Sequence, residues 1–416
     1  MQILLTATAS YAPPRGGATR SNLLWLDHLA HSGHECRIVC GASGPGAELR
    51  HHESILVLAA DDPARRIQLL RQHIKEFAPD WVLVSSEDLA HGLLREAHHC
   101  APGRVVYLAH TPQFYPFGPA SWNPERHAAQ LVAESAGIVA IGRHMAEYIE
   151  RELGRPAAVI HPPIYGKGPY TNLARFGHGL ITMLNPCAVK GISIFLDVAR
   201  RLAAHDFGVV LGWGTTAEDR HDLLSLRNMQ ILPNARNIED ILARTRILLM
   251  PSLWYEGFGL IVMEAMLRGI PVVSSDAGGL KESKAGTGYV IPVRTIEKYQ
   301  PVFDEHAMPK PVVQPNDVGP WMAAIEELSG NREEYARESA ASRAAAERFV
   351  SGLDAAEMER YLLGLKPAAT GRPDPVTIES LSPEKRALLL QRLHVRKGAG
   401  GRSIVPRAGG VSEPKK

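Results

Sequence analysis

One stretch of the chain, residues 246–264 (RILLMPSLWYEGFGLIVME), constrains the fold more than any other. The apolar run at residues 247–250 predicts a buried strand, and Pro251 ends it because proline cannot donate to a strand ladder. Residues 260–267 show helical patterning that closes before the next proline. A strand, a glycine-bearing loop and a helix start in this order predict a parallel α/β unit.

The loop between this strand and this helix has the chemistry of an anion site. Gly257 and Gly259 let an anion approach the backbone, and the first turn of a helix offers unpaired N–H groups and a partial positive charge. Glu256 in the loop and Glu264 on the helix bracket this site. Carboxylates repel phosphate but accept hydrogen bonds from hydroxyls, so the pair fits a sugar or a ribose beside a phosphate.

Length and composition set the outer bounds. A chain of 416 residues exceeds one ordinary core and predicts two domains. The 45% hydrophobic content is typical of a soluble globular protein, and a net charge of +2 gives no nucleic-acid signal. No apolar run approaches the ~20 residues that span a bilayer, and the four cysteines lack CxxC spacing. We therefore expect a cytoplasmic protein with no nucleic-acid partner and at most peripheral membrane contact.

The chain repeats one architecture. Residues 3–5 predict a strand, a glycine-bearing loop and an amphipathic helix at residues 21–31 follow, and residues 35–40 predict the next strand. A second alternation begins at Leu180, after a connection rich in proline and glycine at residues 161–170. Both halves therefore predict doubly wound parallel sheets, an α/β class, with a ligand crevice between them.

His110 stands at the carboxyl end of a predicted strand, where open parallel sheets place their ligands. A loop rich in proline and aromatic residues follows at residues 111–123, a composition typical of a wall over a pocket. A hydrogen-bonded core histidine is the alternative for His110.

Two further features would place backbone groups or a positive charge on the same strand-end side as the Glu256 loop. Gly16 and Gly17 stand in the first strand-to-helix loop, but the full G-x-G-x-x-G fingerprint is missing and a dinucleotide site is not supported. Lys190 precedes a helix start and would place a point charge near Glu256. Glycines that ease a tight turn and a surface lysine are the alternatives.

Three motifs together resemble the retaining family 4 glycosyltransferases (glycosyl transferases group 1) of GT-B fold. They are K-G at Lys190, P-S-x-x-x-E-G-F-G-L-x-x-x-E-A-M from Pro251, and G-G-L-x-E from Gly278. The resemblance spans about residues 2–365 and is most specific over residues 181–292. It implies two Rossmann-like domains facing across a cleft, and transfer of a sugar from a nucleoside-diphosphate donor to a hydroxyl.

The resemblance also implies residue roles. His110 and Glu256 would be catalytic, lying beside the reacting sugar, and Glu264 would bind the ribose. The backbone of the loop and Lys190 would hold the diphosphate, and Leu232 would touch the base. The implied donor-binding set is Gly16, Gly17, Asn185, Lys190, Leu232, Gly257, Phe258, Gly259, Leu260 and Glu264.

Asn185 departs from the family pattern, which usually has an arginine a few residues before the K-G lysine. An amide carries no charge, so a charge-assisted contact of ~1.5–3 kcal/mol is missing or replaced. No D-x-D stands in the strand-end loops of the first domain, so no metal or cofactor is expected. The charge of the leaving group would be met by Lys190 and the helix N-terminus.

In this fold we expect an acceptor domain at residues 1–165, a donor domain at residues 170–350 and a helix at residues 351–366 that crosses back to the first domain. Residues 294–318, rich in proline, predict a surface excursion. Residues 367–416 predict a flexible tail.

The tail carries a short amphipathic piece at residues 381–393. It resembles the helical segment that precedes condensation domains in nonribosomal peptide synthetases, which implies a natural-product pathway and a biosynthetic-enzyme partner. A disordered tail with one nascent helix is the alternative.

Three functions stay open at this point. The first is a glycosyltransferase of the hexosyltransferase type that uses a nucleotide sugar and an unidentified acceptor. The second is a GT-B epimerase; a phosphorylase would need a pyridoxal lysine, for which there is no motif. The third is a non-catalytic binding or scaffold protein, which Asn185 and the tail keep open.

Overall fold

The computed structural model describes residues 1–368, except residues 12, 15 and 236. The predicted tail helix at residues 381–393 lies outside this range. Within it, strands and helices alternate along most of the chain and build two separate doubly wound sheets.

The first half builds an eight-stranded sheet. Its strands are β1 (Gln2–Thr6), β2 (Glu35–Cys40), β3 (Ala47–His52), β4 (Ile55–Ala60), β5 (Trp81–Ser85), β6 (Val105–Ala109), β7 (Gly137–Ala140) and β8 (Ala158–Val159). They lie in the order β3-β4-β2-β1-β5-β6-β7-β8, with β3 antiparallel to β4 and the other neighbours parallel. The strand order reverses between β1 and β5, so the switch point that binds ligands in such sheets lies there.

Helices cover both faces of this sheet. They are α1 (Gly16–His31), α2 (Pro63–Phe77), α3 (Gly92–Cys100), α4 (Arg126–Ala133) and α5 (Arg143–Leu153). Strands β5 and β6 are buried along their whole length, as apolar strands covered on two sides must be. The hairpin of β3 and β4 has no counterpart among the sequence-based expectations, because its exposed outer strand is polar.

The second half builds a six-stranded sheet that is parallel throughout. Its strands are β9 (Leu180–Leu184), β10 (Phe207–Val210), β11 (Met229–Leu232), β12 (Thr245–Met250), β13 (Val272–Ser275) and β14 (Val290–Ile291). The order β11-β10-β9-β12-β13-β14 reverses between β9 and β12. Its helices are α6 (Ile192–Arg201), α7 (Ala217–Leu224), α8 (Ile238–Leu242), α9 (Leu260–Leu267) and α10 (Leu280–Ser283).

The segment predicted as a surface excursion contains regular structure. It holds an antiparallel pair, β15 (Tyr299–Phe303) and β16 (Pro309–Pro311), whose exposed apolar residues gave no clear strand pattern. Three helices follow: α11 (Gly319–Gly330), α12 (Arg332–Ser351) and α13 (Glu357–Gly364).

Helix α13 lies against the first sheet. Met358 and Leu362 are buried in the core that contains the first sheet, and Tyr361 donates to the carbonyl of Ile138 at 3.5 Å. The predicted residue boundaries of the domains stay a prediction, but the α/β architecture of two Rossmann-like units is confirmed. None of the helices in the described part of the chain is long and apolar enough to cross a membrane.

Candidate functional site

The switch point of the second sheet brings two distant loops together. Strands β9 and β12 are hydrogen-bonded neighbours, and the chain leaves both at the same edge of the sheet. Lys190 lies after β9 and Glu256 after β12, 66 residues apart along the chain. The topology therefore places the predicted lysine beside the predicted loop.

Glu256 is held by an ion pair and a hydroxyl. Lys190 Nζ and Ser252 Oγ each donate to Glu256 Oε1 at 2.5 Å. Lys190 Nζ also lies 4.4 Å from the ring centroid of Trp254, a cation–π contact. Glu256 is only 6% exposed, so the carboxylate has a fixed position at the bottom of the site rather than a mobile one at its rim.

The glycine after Glu256 is required by packing. A Cβ at Gly257 would lie 2.2 Å from the carbonyl oxygen of His110, on the other half of the molecule. Backbone from the loop before α10 packs equally closely from the other side, because a Cβ at Gly279 would lie 2.5 Å from the carbonyl oxygen of Gly257. No side chain fits at either position without moving backbone.

The start of α9 is the open part of the loop. Gly259 caps the helix with a φ of +92°, a left-handed conformation that favours glycine. Gly259 and Leu260 are partly exposed, whereas Phe258 is buried against Phe349 and His161. The first N–H groups of the helix therefore face an accessible region while the loop is anchored behind them.

Glu264 lies one turn further along α9 and is 5% exposed. Its Oε1 is 3.5 Å from Arg20 Nη2, and Arg268 donates to its backbone carbonyl at 2.9 Å. Burial raises the pKa of the Glu264 carboxyl, and the nearby Arg20 and Arg268 guanidinium groups partly offset that rise. The carboxylate can accept hydrogen bonds at the edge of the anion site.

Gly16 and Gly17 form the first turn of α1, so the expectation of a helix starting at residue 21 was wrong at this end. The reason is that glycine is unfavourable in helix interiors but acceptable in a first turn. A Cβ at Gly17 would lie 3.1 Å from Leu260 Cδ1. The N-termini of α1 and α9 therefore face each other across the two halves.

His110 is fully enclosed at the end of β6. Its Nε2 donates to Asn22 Oδ1 at 2.7 Å, and Asn22 Nδ2 donates in turn to the hydroxyl of Tyr11 at 2.8 Å. Burial lowers the pKa of His110 to about 3, so the ring is neutral. Nδ1 is buried without a hydrogen-bond partner among the described residues and is left as an acceptor.

Asn185 is engaged in its own loop. Its Oδ1 accepts from the backbone N–H of Gly214 at 3.0 Å, and its backbone has a left-handed φ of 53°. Its Nδ2 is buried without a partner in the described part of the chain. The amide holds two loops together at the position where an arginine was expected to face phosphate.

Leu232 is buried at the end of β11, packed with Leu180, Val210 and Ile241. Leu232 is 3% exposed, so its side chain is enclosed in this small core, and the predicted contact with a base stays a prediction.

The loop at residues 111–123 reaches across to the second half. The ring of Trp122 lies 6.3 Å from that of Trp254 and 5.5 Å from that of Tyr299, between ring centroids. Trp254 also contacts Trp213 at 5.8 Å. These aromatic rings pack together beside Lys190. That the loop walls a pocket stays a prediction.

A cavity of about 320 Å³ lies beside the loop that precedes Lys190. It is lined by the loop after β9, by α7 and by β15 and β16. Neither Glu256 nor Glu264 lines this cavity.

Two residues at the junction of the halves have no place in the sequence-based site. Arg20 reaches Glu264, and Glu282 accepts from the backbone N–H groups of Arg143 and His144 at 3.0 and 3.1 Å. Glu282 of the second half thus caps α5 of the first half. The only sequence signals are its place in G-G-L-x-E and the place of Arg20 three residues after Gly17.

Glu87 likewise has no role in the sequence-based site. It follows β5 at the switch point of the first sheet, and burial raises the pKa of its carboxyl to about 7. Among the described residues no three His, Cys, Asp or Glu side chains are grouped closely enough to hold a metal ion.

Family models match both halves of the chain. Residues 15–165 match the model described as Glycosyltransferase Family 4, and residues 178–300 match the one described as Glycosyl transferases group 1. Together the two matches cover most of the chain up to residue 300. No curated protein sequence matches the chain significantly.

Solved structures share the fold at low sequence identity. Sucrose-phosphate synthase from Thermosynechococcus elongatus has 14% identity and a TM-score of 0.63, covering 96% of this chain and 100% of its own. HepE from Anabaena, solved with UDP and glucose, has 15% identity and a TM-score of 0.61, covering 87% and 98%. TarM from S. aureus, solved with UDP, has 9% identity and a TM-score of 0.63, covering 87% and 99%. The GT-B fold is thereby confirmed.

Proposed function

Since the chain is a group 1 glycosyltransferase with the GT-B fold, we propose that it moves a hexosyl group from a nucleoside-diphosphate sugar to an acceptor hydroxyl with retention of configuration. One observation carries the proposal. The N-terminus of α9 opens between two carboxylates, Glu256 and Glu264, with Lys190 beside the first. In a nucleoside-diphosphate sugar the diphosphate lies between two hydroxyl-bearing groups, the ribose and the sugar, and this order matches the arrangement of the site. The UDP in the structures of HepE and TarM supports a nucleotide donor.

The donor would lie along the start of α9. The backbone N–H groups of residues 257–260 point a partial positive charge at the diphosphate. Lys190 adds a full positive charge. Its Nζ lies 2.5 Å from Glu256 Oε1, and this carboxylate balances the charge. Glu264 would accept hydrogen bonds from the ribose, and Glu256 from the sugar.

The leaving diphosphate would be stabilised by groups that are already in position. Fixed N–H groups and Lys190 meet the charge that develops as the glycosidic bond breaks, without a divalent metal. The leaving phosphate oxygen would take the proton of the acceptor hydroxyl, and the new bond forms on the same face of the sugar. His110 is neutral at pH 7, and it would position the sugar through its Nδ1 acceptor.

The test is turnover of a panel of nucleotide sugars by the whole chain. We expect release of nucleoside diphosphate from one donor, in the presence of EDTA, and an NMR product spectrum that shows the anomeric configuration of the donor. A product of inverted configuration would reject retention, and loss of turnover in EDTA would reject metal independence. Release of a free epimerised sugar nucleotide would favour an epimerase. Nucleotide binding without any turnover would favour a scaffold.

We also propose a cytoplasmic location and a biosynthetic-enzyme partner for the tail, residues 367–416. The support is the resemblance of residues 381–393 to a synthetase segment. Fractionation of cells that express the whole chain tests the location. Truncation after residue 368 tests the partner, because unchanged association with a synthetase would reject it.

A further inference from the structure

Among the described residues of its own half of the molecule, the proposed donor site has little positive charge. Asn185 stands where a cation is expected, and its side-chain oxygen is bonded to the N–H of Gly214. Lys190 is paired with Glu256 at 2.5 Å. The diphosphate of a sugar nucleotide carries about two negative charges, and the nucleoside diphosphate that leaves carries about three. One paired lysine and a helix N-terminus balance this charge only in part.

The first half offers a guanidinium at this place. Arg20 lies one turn into α1, and its side chain is 44% exposed. Its Nη2 lies 3.5 Å from Glu264 Oε1, a distance at the outer limit of a hydrogen bond. Arginine presents five N–H donors in a planar fork, so this single long contact leaves most of its binding capacity unused.

The position of Arg20 follows from the way the two halves meet. The first turns of α1 and α9 approach through Gly17 and Leu260, and both helices present their N-termini there. Arg20 and Glu264 stand one turn inside these helices and contact each other. An anion bound at the start of α9 would therefore lie within reach of the Arg20 side chain.

We propose that Arg20 binds the diphosphate of the donor and supplies the charge that Asn185 does not. This inference rests on the proposed function. When the ribose binds, its hydroxyls donate hydrogen bonds to the Glu264 carboxylate and replace Arg20 there. The Arg20 guanidinium then turns to the phosphate oxygens, which it can contact in a bidentate way. Because Arg20 belongs to the first half and Lys190 to the second, one diphosphate would be bound from both halves.

Calorimetric titration with nucleosides, nucleoside monophosphates and nucleoside diphosphates tests this role. The uridine, guanosine and adenosine series are compared on the native chain, and the series that binds is taken to Arg20→Met and Arg20→Lys. We expect Arg20→Met to weaken binding of the nucleoside diphosphate about 10- to 100-fold, and binding of the free nucleoside less than about twofold. Arg20→Lys keeps the charge and is expected to retain most of the diphosphate affinity.

The control is Arg143→Met, at the start of the neighbouring helix α5. Arg143 is 74% exposed and is 3.6 Å from a carboxylate of the other half, Glu282, so like Arg20 it is an exposed arginine that pairs across the two halves. It is expected to leave all three affinities unchanged. Equal losses of nucleoside and diphosphate in Arg20→Met would show that Arg20 only orients Glu264, and would overturn the proposal.

The proposal and the function on which it rests can fail separately. A native chain that binds no nucleoside diphosphate rejects the proposed function, and the role of Arg20 with it. A native chain that binds one with unchanged affinity in Arg20→Met rejects the role of Arg20 and leaves the function standing.

Discussion

The two sides of the site are built in different ways. On the donor side, Glu256 and Glu264 stand eight residues apart on one loop and helix, and the groups between them are mainly backbone. On the opposite side, the network of His110, Asn22 and Tyr11 joins a strand end, a helix and a loop that are up to 99 residues apart. One side depends on a contiguous motif, and the other on the topology of the sheet.

This difference predicts where each side is sensitive. The donor side should be sensitive to any atom added to its backbone and to the loss of single charges. The opposite side should respond mainly through burial and protonation, because its polar groups are enclosed. The following experiments test that contrast, in order of decreasing expected effect.

The largest effect is expected from Gly257→Ala. The new Cβ would lie 2.2 Å from the carbonyl oxygen of His110, and neither backbone can move freely. We expect transfer activity to be abolished, and the free energy of unfolding in urea to fall by about 1–3 kcal/mol. Gly330→Ala, at the end of α11 with no atom within 4 Å of its Cβ, is the control. Full activity in Gly257→Ala would contradict the close packing of the two halves at this point.

Glu256→Gln should reduce kcat without reducing nucleotide affinity. The amide carries no charge, so it cannot balance the positive charge of Lys190 or stabilise positive charge on the sugar. Loss of such a preorganised group typically lowers kcat roughly 10²- to 10³-fold. Steady-state kinetics and titration with nucleoside diphosphate separate the two effects. Asp197→Asn, which removes an exposed ion pair with Arg201, is the control. A loss confined to KM would place Glu256 outside the reacting centre.

Glu264→Gln should act mainly on binding of the ribose. A carboxylate accepts from ribose hydroxyls more strongly than an amide, so we expect affinity for the nucleoside diphosphate to fall about 10-fold. Affinity for the matching 2′-deoxynucleotide should change less, because one hydroxyl is already missing. Equal losses for the ribo and deoxy forms would show that Glu264 does not bind the ribose.

Acid should destabilise the fold through buried histidines. Burial lowers the pKa of His110 to about 3 and that of His98 to about 4, from 6.5. Above pH 6.5 both are neutral in the folded and the unfolded chain and add nothing. As the pH falls from 6.5, the unfolded chain takes up protons that the folded chain cannot, so the free energy of unfolding falls until about pH 3.

Urea unfolding between pH 8 and pH 4 measures this loss. His98→Gln, whose amide can keep a hydrogen bond to Ser135, should make the free energy of unfolding fall less steeply with acid. His178→Gln changes an exposed histidine and should leave this dependence unchanged. An unchanged slope in His98→Gln would mean that this histidine takes up its proton in the folded protein.

The motif at residues 246–264 revealed most of the donor side from sequence. Its strand, its loop and its helix lie where the pattern predicts, and Lys190 joins it because two switch-point strands are neighbours. This was possible because the hydrophobic periodicity, the glycines and the carboxylates all lie within one short segment.

The contacts between the halves could not be predicted in the same way. Nothing in the sequence pairs Arg20 with Glu264, or Glu282 with the N-terminus of α5, because each contact joins residues more than 130 positions apart. The engagement of Asn185 by Gly214 is a similar case, since it depends on where two loops meet. Burial of Leu232 follows from its place in a small core that the local pattern does not show.

A crystal structure of the whole chain with its nucleoside diphosphate would test the central claim most directly. We predict phosphate oxygens within hydrogen-bond distance of the N–H groups at residues 257–260 and of Lys190, and a ribose on Glu264. A nucleotide bound with its ribose on Glu256, or in the cavity beside β15 and β16, would contradict the account.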